Sequence, residues 1–341
     1  MSLEQFIRQM PKVELHVHLE GSIRPETLLE LSQRNAVELP VRSVEEMREW
    51  VRFTDFAHFI EVYIAICNCL RTADDFELIT AEFLRGQARQ NIVYSELIFT
   101  PYTHQANVSM DDQLAAINRA RVWAERNLGV RMGLAPDISR QVRPLEHSLE
   151  VADWVVTNRA KGIIALGLGG PEIDNPPELF DAAFERAYAA GLPSLPHAGE
   201  TEGPASIWGA INALHAVRIG HGVRCFEDPA LVAYLRENQI PLDVSPTSNV
   251  CLKVFPNLDQ HPLPRLLAEG LCVTINSDDP PLFSTTLTNE YMQIAAVFGF
   301  DQAQIQQLVL NGVRASLLPG EERRSMEQEF VRQFAMLGEY I

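Results

Sequence analysis

The stretch KVELHVHL, residues 12–19, is a short apolar run that ends in polar residues, a pattern that predicts a buried β-strand. It is the first of eight such runs, and each is followed by a segment with helical periodicity. The other seven are VYSELIFTP (93–101), VRMGLAPDI (130–138), GIIALGLGG (162–170), LPSLPHAGE (192–200), AVRIGHG (216–222), IPLDVSPTSN (240–249) and LCVTINSDD (271–279). Strands that alternate with helices form parallel sheets, so eight units predict a (β/α)₈ TIM barrel of the α/β class.

A long segment separates the first two runs. It contains TDFAHFIEVYIAICNCL (54–70), in which four large apolar residues recur at helical spacing on one face: Phe56, Phe59, Ile60 and Tyr63. We predict a helical insertion over residues 21–92. Core packing is the ordinary role of each aromatic taken singly, but an insertion that follows a barrel strand lies at the catalytic end, where it could also roof a pocket. The sequence has no linker or repeat, so we interpret residues 1–341 as one domain that ends in a helical segment from about Asp301.

Composition and charge exclude several classes of protein. The 46% hydrophobic and 21% charged content is typical of a soluble globular protein, and no apolar run is long enough to span a membrane. Twenty-eight basic against 45 acidic residues give a net charge of −17, which repels nucleic acid and anionic lipid. We therefore expect neither nucleic acid nor a membrane as a partner.

The N-terminal sequence and the cysteines indicate the cellular compartment of the protein. The stretch MSLEQFIRQMPKVEL lacks the apolar core of a secretory signal. The five cysteines are scattered, without a C-x-x-C pair, which fits free thiols in a reducing environment. We expect a cytoplasmic protein, and the sequence leaves its oligomeric state open.

Histidines and carboxylates gather where the predicted strands end. His16 and His18 are two residues apart in a strand and so point the same way. Alone, this pair is a modest signal, but five further residues stand at the ends of later runs: His197, Glu200, His221, Asp278 and Asp279. In a TIM barrel these ends meet at one mouth. Five other histidines receive no role: His58, His104, His147, His215 and His261.

Three imidazoles and one carboxylate drawn from this set suit Zn²⁺, with a position left for water. Such an ion would lower the pKa of a bound water and supply a nucleophile. Hydrolases of this barrel with two metals usually use a modified lysine on a middle strand, whereas the fourth run has none and Lys161 precedes it. We therefore predict one zinc per chain. Taken singly, Asp278 and Asp279 also fit a helix cap, with Pro280 in the first turn.

Five motifs in order resemble the adenosine deaminase family of the amidohydrolase superfamily: HVHLEGS (16–22), LGLGGPEI (166–173), PHAGE (196–200), RIGHG (218–222) and INSDDPP (275–281). The resemblance covers nearly the whole chain, from Lys12 to the C-terminal helices. It implies a zinc-dependent hydrolase that converts a 6-aminopurine to its 6-oxo product and releases ammonia. It also implies the metal ligands, which are His16, His18, His197 and Asp278.

The same resemblance implies roles for four further residues. His221 would orient and deprotonate the attacking water, and Glu200 would protonate N1 of the ring. This division suits the chemistry, because hydroxide adds at C6 only if the ring accepts a proton. Asp279 would contact N7 and help to hold the water, and the N–H of Gly170 would meet N3. A glycine there lets the backbone approach a flat ring closely.

The substrate is less well defined. Adenosine deaminases usually carry an aspartate for the ribose 5′-hydroxyl where this chain has Glu20, and adenine deaminases commonly have glutamate there. Gly220 and PTSN (246–249), however, are similar to the nucleoside enzymes. The stretches FTDFAHFIEVY (53–63), PHAGETEGP (196–204) and INSDDPPLF (275–283) look closest to aminodeoxyfutalosine deaminases, which act on a 5′-modified nucleoside. We rank adenosine and a 5′-modified adenosine together, with Glu20 as a residue of the ribose end, and adenine third.

Two other functions deserve comparison. Another amidohydrolase acting on an amide or ester would have little use for Glu200 and Asp279 together. A catalytically silent binding protein would be expected to have lost the acid or a ligand, and all are present. The signature of the deaminases that act on DNA and RNA bases, H-x-E with P-C-x-x-C, does not occur.

Overall fold

A computed structural model describes residues 1–338 and confirms the predicted (β/α)₈ barrel. Each strand pairs in parallel with the next one along the chain. The strands are β1 (Lys12–His18), β2 (Ile92–Phe99), β3 (Arg131–Ser139), β4 (Leu166–Gly169), β5 (Ser194–Ala198), β6 (Ile219–His221), β7 (Leu242–Val244) and β8 (Val273–Ile275). All eight apolar runs therefore contain a strand, most of them shorter than the run.

Contacts between β1 and the segment that directly follows β8 close the barrel. The N–H of His18 donates to the carbonyl of Asp278 at 2.9 Å, and the N–H of Asp278 donates to the carbonyl of His16 at 3.2 Å. The side-chain oxygen of Asn276 accepts the N–H groups of Leu15 and His16. This closure fixes Asp278 beside both histidines of β1.

The helices surround this barrel. They are α1 (Leu3–Gln9), α2 (Pro25–Arg34), α3 (Val44–Trp50), α4 (Phe56–Asn68), α5 (Ala73–Arg89), α6 (Pro101–His104), α7 (Met110–Leu128), α8 (His147–Asn158), α9 (Asp181–Ala189), α10 (Pro204–Asn212), α11 (Pro229–Asn238), α12 (Pro246–Cys251), α13 (Leu263–Ala268), α14 (Leu287–Phe298), α15 (Gln302–Ala315) and α16 (Gly320–Gly338). Within residues 1–338, no helix combines the length and apolarity needed to cross a membrane.

Residues 21–92, predicted as an insertion, hold the four helices α2 to α5. The last of these packs along α7 and against β2, as the outer helix of the first barrel unit does. Helices α2, α3 and α4 are therefore the added part. Asp55 caps α4 by accepting the N–H of His58, and Thr72 caps α5 in a capping box with Asp75; each such cap contributes about 1 kcal/mol.

Two boundaries differ from the predicted runs. The end of the seventh run, PTSN (246–249), begins α12, because Pro246 has no N–H for the strand ladder and fits the first helical turn. The C-terminal segment predicted from Asp301 is the pair α15 and α16, and Asp301 is the N-cap of α15. Helix α15 also contacts β8 and β1, so it covers the closure of the barrel.

The barrel interior contains a buried ion network. The guanidinium of Arg218 donates to the carboxylates of Glu96 and Asp243, at 2.5 Å in each case. It also donates to the carbonyl of Leu15, and Thr274 donates to Asp243. Because every charge has a partner, the network links β1, β2, β7 and β8 without leaving an unpaired buried ion.

Candidate active site

The four predicted metal ligands lie together at the mouth of the barrel. His16 and His18 extend from β1, His197 from β5, and Asp278 follows β8. Their ligand atoms all lie within 4.8 Å of one another. The Nε2 atoms of His16 and His18 are 3.4 and 3.3 Å from Oδ1 of Asp278, and Nε2 of His18 is 3.1 Å from Nε2 of His197.

These distances fit one small cation. Ligand atoms about 2.1 Å from an ion in a tetrahedral arrangement lie about 3.4 Å apart, close to the spacing of this cluster. Nε2 of His16 is buried and finds no hydrogen-bond partner among residues 1–338, although an unpaired buried polar atom is costly. A divalent metal shared by the four side chains would satisfy it. The donor set of three imidazoles and one carboxylate suits Zn²⁺.

Surrounding groups orient these ligands. Nδ1 of His197 donates to the carbonyl of Leu168 at 2.8 Å, which leaves Nε2 free to face the cluster. Ser248 donates to Oδ2 of Asp278 at 2.7 Å, so that Oδ1 faces the histidines. Asp278 has φ +65°, a left-handed conformation that residues other than glycine seldom adopt. Backbone strain of this kind tends to concentrate at functional sites.

Glu200 and His221 lie beside the ligand cluster. Both side chains are buried, and Nε2 of His221 is 3.7 Å from Oε1 of Glu200 and 3.9 Å from Oδ2 of Asp278. Burial raises the pKa of Glu200 well above its usual range, and the nearby carboxylates of Asp278 and Glu172 add to the shift. The raised pKa favours the protonated form of Glu200, which is the form able to donate a proton.

Asp279 and Gly170 complete the predicted set. Burial raises the pKa of Asp279 well above the usual value, as does the charge of Asp278, and within the described part of the chain its Oδ1 has no hydrogen-bond partner. A protonated Asp279 can donate a hydrogen bond into the cavity. Gly21 packs against it so closely that a Cβ there would meet Oδ1 at 1.6 Å. Gly170 lines the same cavity with φ +98°, which other residues adopt only with strain.

One cavity connects these residues with helix α4. Its lining includes seven of the predicted site residues: His18, Gly170, His197, Glu200, His221, Asp278 and Asp279. Helix α4 contributes a largely apolar wall, formed by Phe56, Phe59, Ile60, Tyr63, Ile64 and Cys67. Helix α4 of the insertion therefore lines the same cavity as the predicted site residues, and its role as a cover for that site stays a prediction.

Glu20 lies outside this lining. Its side chain is fully buried and accepts hydrogen bonds from the N–H of Thr100 at 2.9 Å and the hydroxyl of Tyr63 at 3.4 Å. Nε2 of His104, which received no role from the sequence, is 3.1 Å from it. Burial, the largest single influence, raises the pKa of Glu20, but the hydrogen bond and charge of His104 together with the backbone N–H of Thr100 outweigh it, and the net effect lowers the pKa. Tyr63 and Thr100, which both bond to this carboxylate, line the cavity, whereas Glu20 itself does not.

Sequence reasoning missed Glu172, which organises the loop that carries Glu200. Its carboxylate accepts the N–H groups of Gly199, Glu200 and Thr201 at 2.8 to 2.9 Å. It also accepts the hydroxyl of Ser206. Glu172 belongs to the motif LGLGGPEI. The only sign of its role in the sequence was one glutamate two residues after a pair of glycines.

We expect Glu172→Gln to lower kcat by about 100-fold, because the new NH₂ would face backbone N–H donors and displace Glu200. Metal content should stay unchanged, since none of the four ligands contacts Glu172. Steady-state kinetics and metal analysis of the purified variant test this. Glu237→Gln, exposed on α11, is the matched control. Wild-type kcat in Glu172→Gln would contradict the positioning role.

Asp137 is a second residue that the sequence did not single out. It lies on β3, lines the cavity and is 1% exposed, and no residue that the structure describes forms a hydrogen bond with either carboxylate oxygen. Burial raises its pKa to about 8. A Cβ at Gly167 would meet Asp137 at 1.8 Å and one at Gly169 at 2.4 Å, so both glycines on β4 make room for it. A charged residue inside the apolar run VRMGLAPDI was the available signal.

Known proteins share this architecture. A family model described as adenosine deaminase matches residues 11–333. The chain is 42% identical to an aminodeoxyfutalosine deaminase of Streptomyces coelicolor, over 94% of this chain and 84% of the relative. A crystal structure of an adenine deaminase from Arthrobacter aurescens superposes with a TM-score of 0.91 at 34% identity, covering 95% and 99% of the two chains. A zinc-bound amidohydrolase from Burkholderia ambifaria does so with a TM-score of 0.91 at 27% identity, covering 100% and 95%.

Proposed function

The chain belongs to the adenosine deaminase family, and from this premise we propose that it is a zinc-dependent enzyme that hydrolyses a 6-aminopurine nucleoside to its 6-oxo product and ammonia. The observation that carries the proposal is the placement of Glu200, with a pKa raised by burial, beside a four-ligand cluster in one cavity. A neutral acid beside a metal site is what addition of water to an aromatic C–N bond requires.

His16, His18, His197 and Asp278 would hold one Zn²⁺, as the unpartnered Nε2 of His16 and the donor set support. When bound, the ion would lower the pKa of a water and so supply the nucleophile for C6. The zinc-bound relative from Burkholderia ambifaria supports the choice of metal.

The remaining residues handle the purine. Glu200 donates its proton to N1 as C6 becomes tetrahedral, since the ring electrons displaced by the attack collect on N1. Asp279, protonated because of its raised pKa, donates a hydrogen bond to N7. The N–H of Gly170 donates to N3, and His221 contacts the attacking oxygen from the side of Glu200. These contacts would fix the ring in its plane and orient C6 toward the cluster.

We further propose that the nucleoside carries an apolar or aromatic group at the 5′ position, as aminodeoxyfutalosine does. Two observations favour it over adenosine. The carboxylate of Glu20 is engaged by Thr100, His104 and Tyr63 and does not line the cavity. The cavity wall from α4 is largely apolar. The Streptomyces coelicolor relative supports this choice, and the adenine deaminase from Arthrobacter aurescens makes adenine the alternative.

Ammonia release from a matched panel tests the proposal: adenine, adenosine, 5′-deoxyadenosine and aminodeoxyfutalosine. We expect aminodeoxyfutalosine to have the highest kcat/KM, exceeding adenosine by about tenfold or more, because its added apolar surface is buried against α4. If adenine has the highest kcat/KM, the proposed substrate would be the free base and not a nucleoside. Absence of turnover for all four would overturn the deaminase proposal itself.

A further inference from the structure

His221 is connected to two buried residues, Asn249, which ends the stretch PTSN (246–249), and His261. Nδ1 of His221 is 3.2 Å from Nδ2 of Asn249, whose Oδ1 is 3.1 Å from Nε2 of His261. The N–H of Leu263 donates to Nδ1 of His261 at 3.1 Å. Asn249 lies on α12, and His261 lies just before α13. The chain of hydrogen bonds therefore runs from the cavity into the wall of the barrel.

The direction of every bond in this chain follows from its last member. A backbone N–H only donates, so Nδ1 of His261 must accept, and in a neutral imidazole the proton then lies on Nε2. Burial lowers the pKa of His261 to about 3 and keeps the ring neutral. Nε2–H of His261 therefore donates to Oδ1 of Asn249, and this orients the amide so that its NH₂ donates to Nδ1 of His221.

We propose that Asn249 and His261 are positioning residues that hold His221 as the tautomer protonated on Nε2. His221 then presents an N–H donor to the oxygen that attacks C6, in place of the proton acceptor that the family resemblance implies. The donor faces the side of Glu200 and Asp278, 3.7 and 3.9 Å away. This role for His221 rests on the proposed deaminase function, whereas the tautomer itself is a property of the folded chain.

The tautomer is measured directly by long-range ¹H–¹⁵N correlation spectra of histidine-labelled protein, both metal-free and zinc-loaded. His221→Gln identifies the His221 signals. We expect a protonated Nε2 and an unprotonated Nδ1 in the wild-type protein. A proton on Nδ1 of His221 would overturn the proposal whatever the enzyme turns over. A correct tautomer in a protein that deaminates none of the panel would instead overturn only the proposed function.

Asn249→Asp is the sharpest variant, because it keeps the shape and removes the donor. A carboxylate there accepts from both histidines and moves the His221 proton to Nδ1. We expect the spectrum to show this change and kcat to fall about 10- to 100-fold with KM little altered. Unchanged kcat with the tautomer reversed would overturn the donor role. Asn238→Asp, exposed on α11, is the charge-matched control.

His261 is tested by a pair of variants. His261→Leu removes the donor, so Asn249 loses its fixed orientation, and we expect both His221 tautomers and a lowered kcat. His261→Gln retains an N–H that can reach Oδ1 of Asn249 and should restore a single tautomer and most of kcat. Thermal unfolding identifies variants that only lose stability. Equal behaviour of the Leu and Gln variants in both tautomer and kcat would contradict the role of His261.

Discussion

Glu200→Gln should lower kcat by about 10³-fold while leaving the metal content at the wild-type level. The substitution keeps the size of the side chain but leaves no acidic proton for N1. Glu200 is not one of the four clustered ligands, and its carboxyl lies 3.7 Å from Nε2 of His221. We therefore expect the variant to keep the metal site. Single-turnover kinetics with metal analysis on the same sample measure both expectations.

The same acid sets the expected pH dependence. Glu200 works when protonated, and its pKa is raised, so turnover should be retained at neutral pH and decline as the pH rises through that pKa. The Gln variant should lose this alkaline decline. Glu202→Gln, in the same loop, serves as the local control. Near-full turnover by Glu200→Gln would remove Glu200 as the acid.

His18→Ala has the second large expected effect, the loss of bound metal. His18 is 3.3 Å from Asp278 and 3.1 Å from His197, so its removal takes one ligand out of the centre of the cluster. We expect zinc content well below one per chain after dialysis, and a fall in kcat of more than about 100-fold. Elemental mass spectrometry measures the zinc content per chain, and steady-state kinetics measure kcat.

Unfolding gives a readout of the metal site that is independent of turnover. A ligand present at 100 times its Kd stabilises the folded state by about 2.7 kcal/mol, so zinc should raise the Tm of the wild-type protein and much less that of His18→Ala. His147→Ala, at the partly exposed start of α8 and away from the cluster, is the matched control. Full zinc stoichiometry in His18→Ala would contradict its assignment as a ligand.

The barrel and the ligand cluster were predictable because both depend on strand order. Apolar runs mark the strands, and parallel strands bring their carboxyl ends to one mouth, so His16, His197 and Asp278 meet despite their separation in sequence. No knowledge of side-chain packing is needed for that inference. The start of α12 shows the limit of the method, since a proline turned the end of an apolar run into a helix.

The supporting residues were not predictable in the same way. Glu172 acts on a loop that follows the next strand, and His261 reaches His221 only through Asn249. Such contacts depend on where helices and loops place side chains, which periodicity does not report. The structure also places Glu20 outside the cavity lining, bonded to Tyr63 and Thr100, which no linear pattern shows.

The closure of the barrel connects the order in which the chain is synthesised with the formation of the proposed metal site. Asp278 pairs with β1 through its backbone and contacts the β1 histidines through its carboxylate, so one residue both closes the sheet and completes the proposed ligand set. During synthesis β1 leaves the ribosome early and β8 late, so this pairing can form only after nearly the whole chain has been made. A growing or truncated chain that lacks β8 therefore has an incomplete ligand set, and acquisition of metal would report that the whole barrel has folded.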